Sequence, residues 1–120
     1  MTTSRATARD PFPLAGLHLR SAGFRVLDRC GDSALDPRVL IAADGEALVA
    51  CLIKTRRPTS RSGAAEKISR TKLRALRRIA VAWMDAHAVR YEQVRIDIIA
   101  ITIDGLGGCT IEHVRGAGER

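Results

Sequence analysis

The run Val39-Leu40-Ile41-Ala42-Ala43-Asp44-Gly45-Glu46-Ala47-Leu48-Val49-Ala50-Cys51-Leu52-Ile53-Lys54-Thr55-Arg56 decides the fold. Two apolar stretches flank Asp44-Gly45, and Asp-Gly between apolar stretches is the strongest short-range signal for a β-hairpin. Val39–Ala42 and Ala47–Ile53 are therefore expected to pair antiparallel. Upstream, Phe24-Arg25-Val26-Leu27 reads as a further strand, separated from the hairpin by the polar turn region Arg29-Cys30-Gly31-Asp32-Ser33. The three strands form a meander. Ahead of them, Leu14, Leu17 and His18 share one face of a short helix over roughly Pro13–Ala22, which Gly23 ends as a left-handed cap.

Downstream of the hairpin, Arg57 to Gly63 is rich in Arg, Pro, Thr, Ser and Gly and reads as a connector without an apolar anchor. Leu73, Leu76, Ile79, Ala80, Trp83 and His87 then recur at three- and four-residue steps. Lys67, Arg70, Arg74, Arg77 and Arg78 gather on roughly the opposite side, so a long helix with one core face and one cationic face is expected. Val94–Ile103 is apolar at nearly every position, as suits a strand covered on both faces. Asp104–Gly108 is a turn and Thr110–Val114 a last strand. A helical crossover between the third strand and Val94–Ile103 makes those two parallel or near neighbours. The fold class is α/β: a mixed central sheet flanked by helices, with residues 1–12 as a flexible arm, 13–115 as the domain and 116–120 as a flexible tail.

At 120 residues the chain has the length of one domain, and its 46% hydrophobic and 28% charged content is that of a globular protein. No apolar run reaches the ~20 residues of a membrane span, and Met1–Pro13 lacks a secretory signal's apolar centre, so a soluble cytoplasmic protein is expected. Three cysteines, Cys30, Cys51 and Cys109, form no C-x-x-C pair and support neither a disulfide framework nor a zinc knuckle. The chain carries a net charge of +7, and its distribution is uneven: between Lys54 and Arg78 ten basic residues face one acid, Glu66. That segment alone is +9, while the rest is net −2, which points to an anionic partner. With Phe12, Phe24, Trp83 and Tyr91 as the only aromatics, base stacking is a poor mode of recognition, and contacts to phosphates are expected instead.

The hairpin ending in Ile53-Lys54-Thr55-Arg56, the helix around Lys72-Leu73-Arg74-Ala75-Leu76-Arg77-Arg78 and the strand Arg95-Ile96-Asp97-Ile98-Ile99-Ala100 resemble, in this order, the YraN family of small bacterial proteins. The resemblance runs from about Leu14 to Val114 and implies a restriction-endonuclease-like αβββαβ core of the PD-(D/E)xK type, related to Holliday-junction resolvases. In that family one carboxylate from each of two adjacent strands holds Mg²⁺, and a lysine two residues after the second projects from the same face. The ion would polarise a phosphodiester and activate water, and the lysine would orient that water or stabilise developing charge.

This chain departs from the pattern at the carboxylates. Aligned on the family, Val39 stands where the metal-binding Asp belongs, Pro37 where the preceding Glu belongs and Leu52 where the second carboxylate belongs. Pro11-Phe12 also replaces a Gly-Glu pair at the first helix. Lys54 is the remnant of the triad, and two apolar side chains give a hard dication no oxygen ligand, so no metal and no cofactor are expected. Asp36 and Asp97 are the candidate replacement acids, with Asp97 considered as a neighbour of Lys54; a Mg²⁺ or Mn²⁺ endonuclease with relocated acids is thus one alternative. Another is a protein-interaction or dimerisation module, pairing with itself or with another protein, in which Val39 and Leu52 extend an apolar surface. The leading expectation is a nuclease-fold protein that no longer cleaves but binds nucleic acid, DNA in the first instance, through Lys54, Arg56, Arg57, Arg61, Arg70, Lys72, Arg74 and Arg77. Lys72 lies near the apolar edge of its helix and either snorkels or reaches toward the former catalytic face.

Overall fold

In the computed structural model, which describes residues 11–30, 38–56 and 68–118, Asp44 pairs with Ala47 and the two residues between them turn the chain. Gly45 occupies φ +62°, the left-handed region that a side chain would strain. The hairpin it closes joins β2 (Val39–Asp44) to β3 (Ala47–Arg56). β1 (Arg25–Cys30) pairs antiparallel with β2 through a bulge between Val26 and Asp28. β4 (Gln93–Ile103) runs parallel to β3, and β5 (Cys109–Val114) closes the other edge antiparallel to β4. The five-stranded order is β1-β2-β3-β4-β5, a mixed sheet with the expected parallel step across the helical crossover.

Side chains on β3 alternate between two cores, as the period of two in a strand demands. Ala47, Val49, Cys51 and Ile53 pack with Leu40, Ala42, Ile99 and Ile101 beneath α1 (Phe12–Ser21), which contributes Phe12, Ala15 and Leu19. Leu48, Ala50 and Leu52 pack with Val39, Ile41 and Ile96 beneath α2 (Arg70–His87), which contributes Leu76 and Ala80. Each large apolar side chain fully withdrawn from water in these layers contributes about 1.5–3 kcal/mol before chain entropy is charged against it.

The helix ends follow from local chemistry. Ser69 caps α2, its Oγ accepting from the Lys72 amide at 3.1 Å. At the other end Ala88 turns left-handed, with φ 55°, and the Val89 amide returns to the Met84 carbonyl at 3.1 Å. Asp104 organises the β4–β5 turn, accepting from the Leu106 and Gly108 amides at 2.8 Å each.

Two boundaries differ from the sequence expectation. α1 starts at Phe12, whose ring is buried in the core, so Pro11 and Phe12 belong to the domain and not to a flexible arm. Residues 116–118 likewise pack: the Ala117 amide bonds the Ile96 carbonyl at 2.7 Å, and a Cβ on Gly118 would collide with Leu73. Apolar and small residues in those positions gain burial, which a reading from Gly content alone misses. Among the described residues, no helix is long and apolar enough to cross a membrane.

Candidate nucleic-acid interface

Val39 and Leu52 are direct partners across the β2–β3 ladder and lie on the α2 side of the sheet. Lys54, two residues beyond Leu52, continues the same face, and Arg56 follows it. Val39, Leu52 and Lys54, the three positions that the family resemblance singles out, therefore share one face of the sheet. Val39 is 0% and Leu52 4% exposed. A dication needs several oxygen donors, and these two side chains offer none. Among the described residues no group of three or more His, Cys, Asp or Glu side chains gathers in a metal-holding arrangement. Mg²⁺ or Mn²⁺ does not fit this position.

The same burial removes the basis for an apolar docking surface. Val39 and Leu52 are filled against Leu76 and Ala80 of α2 and do not reach solvent as a patch.

Asp97 does not join Lys54. It pairs in register with Cys51, while Lys54 pairs with Ala100, so the carboxylate lies on the α1 face and the lysine on the α2 face. A one-residue difference in strand parity places them on opposite sides of the sheet. Asp36, Pro37, Arg57 and Arg61 lie outside the described residues.

Asp97 is instead the centre of a buried polar cluster on the α1 face. It is 0% exposed and accepts four hydrogen bonds: Arg95 Nε at 2.9 Å, Arg95 Nη2 at 3.1 Å, His113 Nε2 at 2.8 Å and the Gly116 amide at 3.0 Å. Burial alone pushes its carboxyl upward, but the bonds from His113, Arg95 and Gly116 outweigh this and hold it below its ordinary value. Arg95 also reaches Asp44 Oδ2 at 2.9 Å through Nη1, and its bonds to Asp97 raise its own pKa. His113 meets His18 from α1, with Nδ1 and Nε2 3.1 Å apart. The pattern Arg95-Ile96-Asp97 marks only the bidentate half of this cluster. His18 and His113 are 95 residues apart and carry no local signal.

Over Arg70–Arg78, the first half of α2, the charge is of one sign. α2 links β3 to the parallel β4 by crossing the sheet: Leu73 in its first turn lies against Gly118, Arg77 reaches Val94 at the start of β4 and Trp83 reaches Asp28 of β1, whereas Lys54 and Arg56 emerge at the C-terminal end of β3. Arg70, Arg74, Arg77 and Arg78 are exposed along its outer face, and its first turn contains no acid. Among the described residues no carboxylate pairs with Arg70, Arg74 or Arg78. Arg77 also ties α2 to the sheet, donating from Nη1 to the Val94 carbonyl at 3.3 Å. Lys72 is exposed in the first turn. Desolvation, then the neighbouring Arg56, lower the pKa of the half-buried Lys54. At the other end of the helix, Trp83 Nε1 donates to Asp28 Oδ2 at 2.8 Å and joins α2 to β1.

A mixed five-stranded sheet whose parallel step is bridged by a crossover helix defines an α/β protein with a restriction-endonuclease-like core. The chain belongs to the YraN family: residues 13–101 match the model of "Uncharacterised protein family UPF0102". It is 38% identical to a UPF0102 protein of Beutenbergia cavernae over 108 residues, which cover 88% of this chain and 89% of the relative. With a UPF0102 protein of Kineococcus radiotolerans it shares 40% over 102 residues, 82% of this chain and 81% of the relative. A Frankia casuarinae relative is 35% identical over 120 residues, 98% of this chain and 99% of its own length.

Proposed function

We propose that this chain binds nucleic acid through the cationic end of its α2 face and does not cleave it. The observation that supports the reading is the exposed row Arg70, Arg74 and Arg78 on the outer face of α2, which has no acidic partner among the described residues. A row of guanidinium groups at about one helical turn's spacing matches a repeating phosphate backbone better than a single anion. Lys72 and Arg77 extend the same helix surface, and Arg56, together with Arg57 and Arg61 outside the described residues, adds positive charge in the sequence between β3 and α2. DNA is the expected partner. The aliphatic pair Val39 and Leu52 supports binding without hydrolysis, because an in-line displacement on phosphorus needs charge stabilisation that these groups do not supply.

The test is fluorescence anisotropy with labelled duplex DNA, single-stranded DNA and RNA of one length, repeated from 25 to 300 mM salt. Binding should weaken steeply and linearly on a log–log plot, with a slope of about −0.9 per phosphate neutralised on duplex DNA. Arg70→Glu with Arg74→Glu should lower affinity at least tenfold at fixed salt. Binding indifferent to salt, or unchanged in the double variant, would overturn the reading. Cleavage with Mg²⁺ or Mn²⁺ that disappears in Lys54→Ala would overturn the non-cleaving part alone.

A further inference from the structure

His113 holds a hydrogen-bond position between a buried carboxylate and a second imidazole. Because the ionised Asp97 can only accept, the ring must donate from Nε2, which leaves the lone pair of a neutral His113 on Nδ1. His18 Nε2 faces that lone pair at 3.1 Å, from the last turn of α1. The ring planes are inclined by 68° with centroids 5.2 Å apart, and the two imidazole nitrogens, from separate elements, face each other at hydrogen-bond distance.

We propose that His18 Nε2 and His113 Nδ1 form a binding site for a borderline divalent transition-metal ion, Zn²⁺, Ni²⁺ or Cu²⁺, with Asp97 as the outer partner of His113. Metal-ligating histidines characteristically donate their other ring N–H to a carboxylate, which fixes the tautomer and raises the basicity of the ligand. Here that partner exists already and is itself fixed by Arg95 and the Gly116 amide. Two metal–nitrogen bonds of about 2.0–2.1 Å at a tetrahedral angle place their nitrogens roughly 3.3–3.4 Å apart, a few tenths of an ångström wider than the present contact. The partly exposed His18 can supply that movement. In neutral rings no proton is lost: the His18 proton moves from Nε2 to Nδ1 as the ion takes its place. Arg95 is met by Asp97 and Asp44, whereas the more exposed Arg115, 4.0 Å from Asp44, adds positive field at His18 that an incoming cation must overcome. Protein donors number two, so water completes the coordination and micromolar affinity is expected, rising toward Cu²⁺ in the Irving–Williams order. The site lies on the sheet face opposite the cationic one and stands independently of the nucleic-acid reading.

Isothermal titration of the full chain with ZnCl₂, NiCl₂, CuSO₄ and, as a hard-ion control, MgCl₂ tests the assignment. One transition-metal ion per chain should bind and Mg²⁺ should not. His18→Ala, at a partly exposed position where folding is readily verified by circular dichroism, should weaken binding at least tenfold, while His87→Ala should leave it unchanged. Ni²⁺ should broaden the imidazole resonances of His18 and His113 in the wild-type spectrum, a readout that needs no variant. An absence of saturable binding below millimolar metal, affinity unchanged in His18→Ala, or broadening confined to His87 would overturn the proposal.

Discussion

Asp97→Asn isolates the charge of the buried carboxylate while keeping its volume. Asp97 accepts four hydrogen bonds, three of them from side chains that carry or share positive charge. The amide keeps one acceptor oxygen and turns an NH₂ group toward donors, so at least one of Arg95 and His113 loses its partner. Arg95 retains Asp44 at 2.9 Å and is 20% exposed, which softens the loss on its side, whereas the His113 side chain is 9% exposed. Breaking a buried, hydrogen-bonded ion pair from one side costs about 3–5 kcal/mol, and the remaining Asp44 contact puts this case at the lower end, about 3 kcal/mol. Against a total stability of about 5–15 kcal/mol this is a large fraction. At roughly 4 °C per kcal/mol for a domain of this length, Tm should fall by about 12 °C. Urea denaturation followed by circular dichroism gives the free energy, and a thermal scan gives Tm. At a temperature where the variant is folded, its affinity for nucleic acid should match the wild type. A loss below about 1 kcal/mol would show that the cluster is not a buried electrostatic anchor, because a typical neutral hydrogen bond alone accounts for that much.

Restoring acids at the aliphatic positions should be costly singly: Val39→Asp or Leu52→Glu buries a carboxylate and should cost about 3 kcal/mol or more, whereas the double variant should gain thermal stability from millimolar Mg²⁺ that the wild type does not. A double variant indifferent to Mg²⁺ in a thermal scan would contradict the placement of these side chains as neighbours. Ser69→Ala removes the α2 cap and should cost about 1 kcal/mol in urea denaturation, with affinity for nucleic acid little changed. Burial, then the neighbouring His113 and Arg115, lower the pKa of His18 below 6.5. The unfolded chain therefore takes up that proton first on acidification, and the contribution of His18 is complete above pH 6.5 and lost as pH falls through its folded value. The Tm difference between wild type and His18→Gln should accordingly narrow as pH falls from 7.5 to 5; a difference independent of pH would refute the assignment.

The hairpin, the crossover and the core face of α2 were legible because each rests on a local pattern: Asp44-Gly45, apolar spacing in α2, and a nearly continuous apolar run in β4. α1 turns a different face inward from the one expected, burying Phe12, Ala15 and Leu19 and leaving Leu17 60% exposed, because a short helix with few apolar residues has its face set by packing. Strand parity was the point at which reading by proximity failed. Asp97 and Lys54 sit on neighbouring strands, and only the pairing of Cys51 with Asp97 assigns them to opposite faces. That pairing is fixed by the apolar residues around it, which fill both cores only in one register. The His18–His113 contact was beyond reach for a different reason. It depends on α1 being laid across β5, a tertiary event that neither segment encodes alone. Phe12 and Gly118 were misplaced at the domain's ends because a Pro- or Gly-rich composition says nothing about a close approach such as that of Gly118 to Leu73.

The two faces of the sheet divide the work that a single face does in a metal-dependent nuclease. At the α2 face two carboxylates side by side would each lose hydration worth several kcal/mol, and they persist only where a bound cation repays it. Val39 and Leu52 reverse that term, since each withdraws apolar area and contributes about 1.5–3 kcal/mol to the core under α2. Among the described residues Arg70, Arg74 and Arg78 have no carboxylate partner, and their side chains are exposed to solvent. At the α1 face Asp97, the one fully buried acid among the described residues, is committed to Arg95, His113 and the Gly116 amide. Substitutions in one face should therefore leave the other's readout unchanged. Additivity of Asp97→Asn and Arg74→Glu in stability, within about 0.5 kcal/mol, is the quantitative form of that separation.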